Sequence, residues 1–130
     1  MLRLLGLIWR DGEYQEYNMA SLSWKVRKYL ENNSKVYETE RDAGNFSLAN
    51  LSDGNGDFID IWNVSGVAKP TESQLNSTDS SATTDFNNFK IRKTRKAAYG
   101  NIGDQLDEIF KDIDAWKTRI QAIKDANAKE

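Results

Sequence analysis

The side-chain oxygens of Asp53, Asn55 and Asp57, set at alternate positions in DGNGDFID (53–60), are the groups in this chain best spaced for chemistry. Oxygens at alternate positions are how an EF-hand loop begins its grip on calcium. Such a loop also needs glycine at its sixth position and a bidentate glutamate at its twelfth, and here those places hold Phe58 and Val64. The segment reads instead as a glycine-rich turn feeding a strand. Carboxylate pairs can be drawn among Asp53, Asp57 and Asp60, but nothing around them argues for a raised pKa or a cleft. Scattered acids of this kind do not make the paired carboxylates of a glycoside hydrolase. The sequence has no histidine and no cysteine, so the commonest general base, the commonest zinc ligand and any thiol nucleophile are missing. No catalytic residue, metal ligand or cofactor is expected, and the chain reads as a non-enzyme.

A second cluster is electrostatic. Lys90, Arg92, Lys93, Arg95 and Lys96 fall in one run, KIRKTRK, just after Phe86 and Phe89. Such a run can grip phosphates with a steep salt dependence. It has no aromatic residue interleaved within it and belongs to a chain of net charge -2, so a solvated face is expected and nucleic acid is not. The four tryptophans and five tyrosines read as core and interface anchors. Glycosylation sequons such as those at Asn45, Asn50 and Asn63 carry no meaning without a secretion signal. The opening MLRLLGLIWR has a short apolar stretch, then Trp9-Arg10-Asp11, and no small-residue cleavage site. A membrane-spanning helix needs about 20 apolar residues, and the sequence has no such run. The expectation is a protein made in the cytosol, neither exported nor membrane-bound.

The elements that position these groups follow from periodicity. The chain of 130 residues is 38% hydrophobic and 29% charged, with a mean hydropathy of -0.73, which suits a modest core with much exposed surface. Residues 2–9 predict a strand, Asp11-Gly12 a hairpin turn, and Glu13 to Met19 the returning strand. In SLSWKVRKYL, Leu22, Trp24 and Val26 alternate at strand period, while Leu22, Val26, Tyr29 and Leu30 also fit a helical face; the strand is favoured. Lys35 to Glu40 and Phe46 to Leu51 are further short strands, and Asp57 to Val64 is the clearest of all. Lys69-Pro70-Thr71-Glu72 opens a short helix that carries Leu75 inward. Asn76 to Asp85 is almost devoid of apolar residues. The expected class is α+β: a small antiparallel β module over 1–76, a flexible polar linker over 77–88, and a helical interaction segment over 89–130.

That last segment has the most regular pattern. Ile102, Leu106, Ile109, Ile113, Trp116, Ile120 and Ile123 are spaced 4, 3, 4, 3, 4 and 3, a two-in-seven apolar seam. Asp104, Asp107 and Glu108 crowd its front and Lys117, Arg119 and Lys124 its rear, as the helix dipole favours. Two arrangements fit. One is a single long helix that self-associates as a coiled coil or docks on a partner. The other is a helical hairpin bent near Asp112 to Asp114 that packs on the protein's own sheet.

The block Arg95-Lys96-Ala97-Ala98-Tyr99-Gly100-Asn101-Ile102-Gly103-Asp104-Gln105-Leu106-Asp107 resembles one in small bacteriophage tail proteins, including tail-fibre-associated and tail-assembly proteins and their prophage relatives. The tryptophan-led helix from Ala115-Trp116-Lys117 to Asn127 is similar to the one that closes their pattern. So are Phe58 to Val64, a strand holding Trp62, and the Pro70-Thr71-Glu72 turn that opens a short helix. These pieces cover rather less than half the chain, and the first 50 residues are outside them. Gly100 stands where the family usually has proline. The insert that commonly separates the two helices is absent, so Asp112-Ile113-Asp114 runs straight through, which favours one continuous helix. The resemblance implies a non-enzymatic virion component of the tail, baseplate or fibre, made in the host cytoplasm. Its partners would be other tail or fibre proteins, with the chain as a homo-oligomer or in many symmetric copies. The alternative it implies is an assembly chaperone absent from the finished particle.

Overall fold

In the computed structural model, residues 20–130 are described in full, together with the strand backbone at 3–4, 7–10 and 13–16. The fold is α+β. Strands β1 (Arg3–Leu4), β2 (Leu7–Arg10) and β3 (Glu13–Glu16) form an antiparallel sheet in chain order, with Trp9 opposite Tyr14 and Arg10 opposite Glu13. The expected hairpin is present at backbone level as β2 and β3, but the single strand expected over 2–9 is two short strands, β1 and β2, paired with each other. Its Asp11-Gly12 turn and residues 17–19 lie outside the described residues.

Where strands were expected next, the chain is helical. Helix α1 (Leu22–Asn32) wins over the alternation of 22, 24 and 26 because that alternation breaks at Lys28, whereas the helical set 22, 26, 29 and 30 continues. Val26 and Leu30 are fully buried, each burial worth about 1.5–3 kcal/mol. The chain leaves α1 through Ser34, whose φ of 60° lets Lys35 N–H return to the Leu30 carbonyl at 2.9 Å. Helix α2 (Tyr37–Asp42) replaces the strand expected over 35–40: YETERD is rich in helix formers, and its buried residues Tyr37 and Glu40 lie one turn apart. Glu40 is satisfied by Asn45 Nδ2, which donates to it at 2.7 Å.

Strands β4 (Phe46–Asn50) and β5 (Asp57–Trp62) pair antiparallel, with Phe46 opposite Trp62, Asn50 opposite Asp57 and an irregularity at Ser47/Leu48. Among the described residues the β structure of the expected module is thus divided into a three-stranded and a two-stranded sheet. Val26, Leu30, Tyr37, Phe46, Ile59, Val64, Val67 and Leu75 make one buried cluster. Within it the rings of Tyr37 and Phe46 meet edge-on at 5.1 Å between centroids.

Helix α3 (Glu72–Ser77) starts where Pro70-Thr71-Glu72 predicted. Thr71 and Gln74 form a reciprocal capping box, and Leu75 is buried. The stretch expected to be a flexible linker is instead the start of helix α4 (Asp79–Tyr99). Polar groups at its start are engaged with the rest of the unit. Asp79 Oδ1 accepts from Ala20 N–H at 2.9 Å, the Thr78 hydroxyl donates to the Leu75 carbonyl at 2.7 Å, and Ala82 is completely buried. A low apolar count signals disorder only where the polar groups lack partners.

After Gly100 (φ 85°) come α5 (Ile102–Lys111) and α6 (Ile113–Ala126). Of the two arrangements left open, the bend near Asp112 is the one present: the chain breaks at Asp112, φ -160° and ψ 94°, which ends α5 and caps α6 by accepting from Asp114 and Ala115 N–H at 3.1 and 3.0 Å. The chain forms two compact units, Met1–Thr83 and Thr84–Glu130, and the boundary falls inside α4.

Candidate interaction surface

The second unit is held by polar contacts. Arg119 on α6 grips Glu108 on α5 with two parallel hydrogen bonds, Nε to Oε2 and Nη2 to Oε1, both 2.8 Å. The same guanidinium donates to the carbonyls of Ala98 and Tyr99 at 3.2 and 3.0 Å, placing a cation on the last turn of α4. Arg95 answers from α4, donating to the carbonyls of Asn127 and Lys124 at 2.8 and 3.1 Å. Trp116 Nε1 donates to Gln105 Oε1 at 3.3 Å.

This arrangement divides the surface of α5. Gln105 and Glu108 meet α6, while Ile102, Leu106 and Phe110, four residues apart, share a stripe within about 80° of the helix circumference. These three are 71%, 59% and 92% exposed, and Ile113, just past the break, is 46% exposed. The apolar seam is thereby split. Ile102, Leu106 and Ile113 face solvent; Ile109, Trp116, Ile120 and Ile123 are half-buried; among the described residues from 84 to 130 none is buried. Phe110, the most exposed large apolar side chain among the described residues, stood outside the seam because Ile109 occupies the 4-3 register; its signal was the four-residue step from Leu106.

The other sequence candidates are structural. Asp53 accepts from Asn55 N–H at 3.0 Å and Asn55 Nδ2 at 3.1 Å, and the first of these bonds does most to hold its carboxyl below the ordinary range. Gly54 and Gly56, at φ 85° and 82°, give the loop its left-handed turns. Asp57 accepts from Asn50 Nδ2 at 2.9 Å across the hairpin mouth. Among the described residues no group of three or more acidic side chains is placed to hold a metal ion. In the basic run, Lys90 and Lys93 lie over the rings of Phe86 and Phe89, at 4.5 and 5.5 Å, and Arg95 is spent on α6. Among the described residues no helix is long and apolar enough to cross a membrane. Comparisons of the chain with protein-family models, curated proteins and solved structures return no match.

Proposed function

We propose that this protein is a non-enzymatic structural component of a bacteriophage tail, held in the assembly by α5 and α6 docking on a neighbouring tail or fibre subunit. The observation that carries the reading is the exposed stripe of Ile102, Leu106 and Phe110, on a three-helix unit in which no side chain is fully buried. A unit of this size has little core to stabilise it, and a partner that covers the stripe supplies the missing apolar burial. Exposed apolar groups rimmed by charges, here Asp104, Asp107 and Lys111, are the anatomy of a docking patch, with a dry centre and a polar edge. The tail setting rests on the resemblance of the block from Arg95 to Asp107. Symmetric tail assemblies repeat one contact many times, so a patch of modest area is sufficient.

The test is Leu106→Asp combined with Phe110→Asp. Both side chains are exposed, so the double variant keeps the circular dichroism and thermal midpoint of the parent. It should be lost from purified particles in which the parent is present in stoichiometric amount. Incorporation at the parent level would remove the stripe from the assembly. A parent chain absent from particles but co-purifying with a fibre subunit would move the protein to the assembly machinery.

A further inference from the structure

The first unit contains a cleft that the tail reading does not use. It lies between the start of α1, the loop into β5, and α3, with a volume of ≈ 830 Å³, in the range of small-molecule sites. Lys25 lines it. This lysine is 7% exposed, yet among the described residues its ammonium makes a single long hydrogen bond, to Asn76 Oδ1 at 3.3 Å. Its carboxylate neighbour, Asp79 Oδ1, is 3.9 Å away, beyond hydrogen-bond reach, and already accepts from Ala20 N–H. A buried ammonium has three donors and is costly unless they are matched, so among the described residues this charge is under-satisfied. The cleft is also lined by apolar residues, Leu22 and Leu75 together with Phe58, which is 38% exposed. The charged groups that also line the cleft, Lys69, Asp57 and Glu72, are all exposed and screened by solvent.

We propose that this cleft binds a small molecule made of a single carboxylate on an apolar body, with the carboxylate on Lys25 and the body against Leu22, Phe58 and Leu75. A carboxylate supplies acceptors for the ammonium donors that Asn76 does not engage; because Asp79 at 3.9 Å already balances part of the charge, a monoanion is favoured over a dianion such as phosphate. The apolar body accounts for the ring of Phe58 left uncovered beside it.

The experiment is a titration of the full chain, followed by amide nuclear magnetic resonance, with octanoate, octylamine and octanol in parallel. Octanoate should shift the amides of Leu22, Lys25, Phe58 and Leu75 saturably, and bind about tenfold or more tighter than the other two. Lys25→Met, which keeps the apolar stem and removes the charge, should bring octanoate down to the level of octanol. Phe58→Ala, at an exposed position, should weaken all three and keeps the test decisive if the Lys25 variant does not fold. No saturable shift with octanoate, equal binding of octylamine, or octanoate binding unchanged in Lys25→Met would overturn the proposal.

Discussion

Arg27 sits 4.4 Å from the centroid of Tyr37 and 5.0 Å from that of Trp24, and donates to Glu38, tying α1 to α2. The hydrogen bond from Arg27 is the main reason the Glu38 carboxyl is held below its ordinary value of 4.5. The folded pKa is lower than the unfolded one, so the unfolded chain binds the extra proton. The contribution is complete above the ordinary value and is lost as pH falls through the folded one. Glu38→Gln should therefore flatten the acid limb of a stability-against-pH curve below about 4.5. At neutral pH it should cost less than about 1 kcal/mol, because the pair is exposed. A steep acid limb unchanged in that variant would assign the acid sensitivity to other carboxylates. Pairs like this are invisible in sequence, since residues 27 and 38 meet only after two helices and a left-handed serine have formed. Phe110 was hidden differently: a seam read by strict spacing accepts Ile109 and passes over the neighbour that ends up in solvent.

Among the elements, the break between α5 and α6 has a single author. Asp112 accepts two backbone N–H groups from the first turn of α6, and that local bond outweighs the heptad register running through it. Asp112→Ala should cost about 1 kcal/mol in denaturant unfolding and move the carbon chemical shifts of residues 111–114 toward helix. Unchanged shifts would mean that the side-chain contacts of Arg119 and Trp116, not the cap, impose the break. Elements whose signal is local were legible. The strands at Phe46–Asn50 and Asp57–Trp62 carry β-formers between turn residues, and α3 carries its own cap. Leu22 to Asn32 was misread because its first five residues fit both periods, and only the later residues decide. The polar start of α4 was misread because it is held by Asp79 and Thr78 meeting Ala20 and Lys25, contacts between residues more than fifty apart.

At the scale of the molecule, the two units are stabilised in different ways. Residues 20–83 close around an apolar cluster of eight buried side chains. Residues from 84 onward are fastened by arginine forks and helix-end carbonyls, which orient helices but contribute little net stability in water. Docking of the second unit would therefore change its environment more than its secondary structure. Trp116 turns this into something visible. It is the single tryptophan after residue 83, half-buried, and its indole N–H meets Gln105, the residue beside Leu106. In a chain whose Trp9, Trp24 and Trp62 are replaced by phenylalanine, its fluorescence reports on this unit alone. Emission that moves to shorter wavelength when a partner covers the stripe, and stays put in Leu106→Asp with Phe110→Asp, would make the protein its own optical gauge of assembly.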